Sequence, residues 1–172
     1  YNNNQLYPVR GLQCSSEQLP RIKANVSSYA EFGNLTFDEV YSNFDTNNAI
    51  THRATYFESA LLLNKEGRFN FKPLPKNTQV APTNGILVID INADGENEIL
   101  TVGNHFPVEV ETGRYDAHIG SVFTRSFNAL SLKDSGFFND KDARDIDVIT
   151  IKGIKHIMVS NNRDAIAFFK LN

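Results

Sequence analysis

The chain has 172 residues, of which 41% are hydrophobic, and it carries a net charge of −3 with an isoelectric point near 5.8. Its length allows one domain with a sizeable core, and its acidic balance excludes the basic surface that nucleic-acid binding normally requires. No apolar run approaches the ~20 residues that span a membrane. The sequence therefore predicts no nucleic-acid partner and no membrane span. It opens on Tyr1 without a signal-peptide pattern, so we expect a processed form or a piece of a longer protein.

Cysteine and histidine usage argues against two classes of site. Cys14 is the only cysteine, which excludes a disulfide framework and a cysteine-based metal cluster and favours a buried structural thiol. The four histidines show no catalytic or zinc-ligand spacing. We assign them no role and expect no enzyme built on a nucleophilic cysteine.

Three capping patterns near the N-terminus predict short helices. Ser15, Ser28 and Thr36 are each followed three residues later by Gln or Glu, which is the form of a capping box. The predicted helices cover residues 16–25, 29–33 and 37–43. Together they form a helical insertion of residues 15–44 in a β scaffold. Its apolar residues form either a local core or a surface for a partner: Phe32, Leu35, Phe37, Val40, Tyr41 and Phe44.

Beyond the insertion the pattern is typical of β-strands joined by short turns. A hairpin is predicted from residues 54–64 and 68–74. Two polar segments, residues 105–118 and 133–142, are predicted to be a long loop and a charged linker. Further predicted strands cover residues 119–126, 145–151, 156–160 and 165–171.

The stretch from Gly85 to Gly103 combines two apolar runs with an oxygen-rich turn. Calcium takes six to eight oxygen ligands, so a calcium loop brings several short acidic or amide side chains together around a glycine. An EF-hand would need a Glu at the twelfth loop position, where this chain has Thr101. The alternative is an ordinary hairpin with an Asp-Gly turn. The predicted calcium ligands are the side chains of Asp90, Asn92, Asp94 and Glu98 and the backbone carbonyl of Glu96.

The strands recur as meander units without a long intervening helix, which favours radially stacked propeller blades, with a β-sandwich as the alternative. The predicted fold is mainly β. Residues 1–172 would form a single segment of a β-propeller, with about three blades and the helical insertion at residues 15–44. Closed propellers have about 4–8 blades. We therefore expect further blades of the same polypeptide or a larger complex to complete the structure.

Several motifs carry a resemblance to a known family. The loop from Asp90 to Gly95, followed by Glu98 and aliphatic residues, resembles the FG-GAP/VCBS calcium loop, although the family usually has Asp where this chain has Glu98. Nearly the whole chain resembles the C-terminal part of bacterial FG-GAP-like repeat proteins, often associated with an ASPIC/UnbV domain. The resemblance implies a Ca²⁺-supported β-propeller displayed outside the cytoplasm. The other matching segments are residues 7–11, 14–18, 62–64, 103–104, 111–114, 145–146 and 160–162.

Two classes of function remain for such a module. The first is non-catalytic recognition of a protein or glycan partner through loops on a rigid scaffold, which is our prediction. The second is a carbohydrate-active enzyme or its accessory domain, with Glu109, Glu111 and Asp116 as the set of loop carboxylates for glycoside hydrolysis; the alternative for these three residues is an ordinary solvated loop. Convergence of these three side chains in one pocket would favour the enzyme.

Overall fold

The computed structural model describes residues 4–171. The chain divides into two compact units, and the boundary lies between Ala54 and Thr55. The first unit is helical and the second is built from β-strands. Each unit has its own cluster of buried apolar side chains.

Over residues 4–54, the first unit contains four short helices, each too short to be stable without tertiary packing. Their inward-facing side chains form one cluster, which includes Ile22 and Val40 at 0% and 1% exposure. Tyr41 and Phe44 are partly buried against this cluster. The helices are α1 (Leu12–Gln18), α2 (Arg21–Asn25), α3 (Tyr29–Asn34) and α4 (Phe37–Val40).

Only one of the three predicted capping boxes forms completely. At Thr36 the hydroxyl accepts from the backbone of Glu39, and the Glu39 carboxylate accepts from the backbone of Thr36. Ser28 caps α3 through its hydroxyl alone. The predicted cap at Ser15 is wrong, because α1 begins at Leu12 and buries Ser15 inside the helix.

Over residues 55–171, the second unit contains eight strands in three antiparallel sheets, which confirms the mainly β class. Within residues 4–171 no sheet closes on itself, and the sheets contain two, three and three strands. In chain order, a short helix, α5 (Leu132–Ser135), comes after the last strand of the second sheet and before the first strand of the third. The strands are β1 (Ala60–Lys65), β2 (Arg68–Pro73), β3 (Thr83–Ile89), β4 (Glu98–Gly103), β5 (Ser121–Phe123), β6 (Ala143–Ile151), β7 (Ile154–Asn161) and β8 (Ala167–Lys170).

Several predicted strands are shorter in the structure. The strand expected from residue 54 begins at Ala60, and the strand expected over residues 119–126 is reduced to β5. Helix α5 lies in the segment predicted to be a charged linker. Ser131 caps it by accepting from the backbone of Asp134, and Gly136 ends it in the left-handed conformation. This is the same capping chemistry that the sequence shows near the N-terminus.

The core of the β unit lies between its second and third sheets. Alternate residues of β4 and β7 point into it, and Val102 and Val159 are fully buried. Leu87, Ile89 and Ile91 pack against the same cluster. The strand that leads into the predicted calcium loop is therefore anchored by the core up to the first residues of the loop.

Candidate metal centre

The predicted calcium loop connects two paired strands. Strands β3 and β4 are antiparallel, and their last paired residues are Ile89 and Glu98. Residues 90–97 therefore form the hairpin connection, as predicted. Because both strands are held by the core, the ends of the loop have fixed positions.

The carboxylate of Asp90 organises this connection. Its Oδ1 accepts hydrogen bonds from the backbone N–H groups of Asn92 and Asp94, at 3.3 and 3.2 Å. Its Oδ2 accepts from the N–H of Gly95 at 2.8 Å. These bonds, the one from Gly95 above all, hold the pKa of Asp90 below its ordinary value. Asp90 is therefore held in its ionised form, which is the form that binds a cation.

Asn92 and Asp94 are joined to each other on the same connection. The Asn92 amide nitrogen donates to Oδ2 of Asp94 at 2.9 Å, and Oδ1 of Asn92 accepts from the Asp94 backbone at 3.1 Å. Oδ1 of Asp94 also accepts from the Glu96 backbone at 2.8 Å. The structure thus brings together the first three predicted ligands, Asp90, Asn92 and Asp94.

The backbone of this turn needs residues that tolerate positive φ. Gly95 has φ +87°, a conformation that glycine adopts without a steric penalty. Ala93 has φ +61°, which is unusual for a residue with a Cβ atom. The hydrogen bonds to Asp90 and Asp94 hold this strained turn in place.

Glu96 and Glu98 differ in how their side chains are used. The Glu96 carboxylate is exposed and pairs with Arg125 at 2.6 Å. Its predicted role concerned only its backbone carbonyl, which this ion pair does not involve. Glu98 is 5% exposed, and its Oε2 accepts from the backbone N–H of Ile91 at 3.1 Å. The Glu98 side chain therefore links the first residue of β4 to the start of the connection at Ile91.

The chemistry of this donor set fits a hard cation. Carboxylate, amide and carbonyl oxygens are the ligands that calcium takes, and five of them are predicted here from one short segment. Across residues 4–171, no three His, Cys, Asp or Glu side chains are grouped so that they could hold a metal ion. The carboxylates of Asp90, Asp94 and Glu98, which belong to the predicted donor set, therefore do not form such a group in the described residues. The residues that would hold calcium are Asp90, Asn92, Asp94, Glu96 and Glu98.

The three carboxylates considered for an enzyme lie on the loop that follows β4. Glu109, Glu111 and Asp116 are all exposed, and Asp116 pairs with Arg114 at 2.8 Å. A two-residue bridge between His105 and Tyr115 closes the loop. In the described part of the chain these three acids do not form a metal-holding group.

Sequence reasoning missed a buried polar cluster around His118, which is 2% exposed. Its Nε2 lies 3.2 Å from the hydroxyl of Ser121, which also accepts from the amide of Asn77 at 3.3 Å. Burial lowers the pKa of His118 below its ordinary value. Nothing in the sequence distinguishes this histidine from the other three, since its burial comes from residues distant in the chain.

Asn104 holds the same region together from a fully buried position. Its side chain accepts from the His118 backbone N–H at 2.9 Å and donates to the His118 carbonyl at 2.8 Å. It also donates to the Lys141 carbonyl at 3.0 Å. Asn104 therefore ties the end of β4 to the segment before β5 and to the segment before β6.

Comparisons with known proteins give no match to a family model, to a curated protein or to a solved structure. In the described residues, no helix has the length and apolar character needed to cross a membrane.

Proposed function

We propose that this protein is a non-catalytic, calcium-binding module of the β-propeller type that recognises a protein or glycan partner outside the cytoplasm. The observation that carries the proposal is the Asp90 carboxylate, which accepts from three backbone N–H groups of its own loop beside Asn92 and Asp94. The succession of three antiparallel sheets supports an arrangement in blades.

Calcium would supply structural bracing in this proposal. Asp90, Asp94 and Glu98 carry like charges within one short segment, and their repulsion opposes the compact loop. A cation that binds only the native loop offsets this repulsion and stabilises the fold by mass action. The braced hairpin would then hold neighbouring exposed loops in fixed positions for contact with a partner.

Exposed apolar side chains on the strands support membership of a larger propeller or complex. Ile86 and Val88 on β3 are 65% and 57% exposed, and Phe69 on β2 is 64% exposed. Apolar side chains repeated along a strand are typical of a surface that packs against another sheet. Further blades or a partner protein would cover them.

Calcium titration of the 172-residue chain tests the proposal. Isothermal calorimetry should detect one site, and the melting temperature should rise with calcium and fall with a chelator. At a free concentration of about 100 times the dissociation constant, the gain is about 2.7 kcal/mol. The Asp94→Asn variant keeps a hydrogen-bond acceptor but loses the charge, and it should bind calcium much more weakly.

The matched control is Glu111→Ala, which removes an exposed carboxylate outside the loop and should retain the calcium response. Absence of binding heat, together with equal melting temperatures in calcium and in chelator, would contradict the proposal.

A further inference from the structure

A groove of about 620 Å³ lies in the helical unit, along α4 and the segment that follows it. This volume is in the range of small-molecule sites. Its lining combines three aromatic rings, Phe37, Tyr41 and Phe44, with polar and apolar residues from positions 38–52. The predicted calcium loop contributes nothing to it.

The aromatic rings form a stepped wall, because the planes of Phe37 and Tyr41 are inclined by 37° and those of Tyr41 and Phe44 by 61°. The ring centroids of Phe37 and Tyr41 are 4.5 Å apart, and those of Tyr41 and Phe44 are 5.8 Å apart. Tyr41 and Phe44 are partly buried against the core of the unit, whereas Phe37 is 40% exposed. The core thus holds Tyr41 and Phe44 in place, and Phe37, which contacts Tyr41, stays accessible to a ligand. A rigid wall limits the entropy lost on binding.

The polar lining includes a carboxylate with unused acceptor capacity. Within residues 4–171, the Asp38 side chain takes part in no hydrogen bond or ion pair. The Ser42 hydroxyl donates to the Glu39 carbonyl at 2.9 Å, so its oxygen can still accept. No Lys or Arg is among the described residues that line the groove. Hydrogen-bond donors on a neutral ligand match this lining, whereas anions would be repelled by Asp38.

We propose that this groove binds a neutral oligosaccharide. A sugar ring has an apolar face of C–H groups, which packs on aromatic rings, and a rim of hydroxyl groups, which donate to carboxylates. The Phe37–Tyr41 wall provides the aromatic surface, and Asp38 provides the acceptor beside it. This inference rests on the proposed recognition function and gives it a ligand class.

The test uses the whole 172-residue chain and a defined panel of probes. Cellohexaose, xylohexaose and mannohexaose are titrated by calorimetry and by ligand-observed NMR, with oligogalacturonate as an acidic comparison. At least one neutral hexasaccharide should bind, and oligogalacturonate should bind at least about tenfold more weakly. Phe37→Ala and Asp38→Asn should each weaken binding by about tenfold or more.

Tyr29→Ala is the matched control, because it removes a 69% exposed aromatic side chain that does not line the groove. It should leave binding unchanged, and thermal unfolding of every variant checks that the helical unit is folded. If no neutral hexasaccharide binds, or if both groove variants bind as well as the parent chain, the inference is overturned. The same holds if only peptides from a displayed library show Phe37-dependent binding.

The calcium proposal and the oligosaccharide proposal are contradicted by different results. Chelation and Asp94→Asn should leave oligosaccharide binding unchanged, because the groove shares no residue with the calcium loop. Sugar binding without a calcium response would therefore overturn only the calcium part of the proposed function. Calcium binding without sugar binding would overturn only the ligand class inferred for the groove.

Discussion

The carboxylate of Asp90 and the backbone N–H of Gly95 are joined by a 2.8 Å hydrogen bond that closes the connection between β3 and β4. Two further backbone N–H groups, those of Asn92 and Asp94, donate to the same carboxylate. One side chain thus satisfies three backbone donors of its own loop. The loop is therefore ordered by hydrogen bonds between its own near neighbours.

Asp90→Ala should destabilise the chain even without calcium. The substitution removes the acceptor of three backbone hydrogen bonds, and the turn through Ala93 and Gly95 loses what holds its positive φ angles. We expect a lower melting temperature in chelator for Asp90→Ala than for Asp94→Asn. The Asp94→Asn variant keeps a side-chain oxygen that can accept from the backbone N–H of Glu96. Differential scanning calorimetry makes the comparison, and equal melting temperatures would show that Asp90 does not organise the loop.

Gly103→Ala should be among the most damaging single changes. A Cβ atom at this position would lie 1.8 Å from the carbonyl oxygen of Pro82, which belongs to the backbone and has little room to move. We expect a loss of about 3 kcal/mol or more in unfolding free energy, measured in urea. Gly33→Ala is the control, because no atom lies within 4 Å of the added Cβ and the residue is helical. Comparable losses in the two variants would refute the steric explanation.

Buried His118 should make stability depend on pH. Burial lowers its pKa in the folded state below the ordinary value of 6.5, so the unfolded state binds more protons in this range. The contribution of His118 to the free energy of unfolding should therefore be fully present above about pH 6.5. It should be lost as the pH drops through the folded-state pKa. Urea unfolding across this pH range measures the slope.

His118→Gln should reduce this slope, whereas His52→Gln should leave it unchanged because His52 is exposed. A slope that survives in His118→Gln would assign the pH dependence to other groups.

The isolated 172-residue chain should associate in solution. Ile86 and Val88 present exposed apolar side chains on β3, a strand at the edge of its sheet. Light scattering after size exclusion should give a mass above the 19.3 kDa of one chain. The double variant Ile86→Thr/Val88→Thr should lower this mass, since threonine suits a strand but is less apolar. Val110→Thr, on a loop, is the control, and a cooperatively melting monomer of the parent chain would contradict the prediction.

Local chemistry made much of the candidate site predictable. The contacts among Asp90, Asn92, Asp94 and Gly95 span at most five residues, so their spacing in the sequence already specifies the turn. The same holds for the complete capping box at Thr36. By contrast, the cap expected at Ser15 does not form, because packing of the helical unit starts α1 earlier and buries that side chain.

The sequence by itself determined the mainly β class, the hairpin between β3 and β4, and the oxygen-rich turn that joins them. Tertiary structure alone decided that Glu98 is buried, that Glu96 pairs with Arg125, and that His118 and Asn104 form a buried polar cluster. The reason is the distance along the chain over which each feature is decided. Turns and caps are fixed by hydrogen bonds between residues that are near neighbours in the sequence. Burial depends on which distant strands pack together, and alternation along one strand shows which face is apolar but not what will cover it.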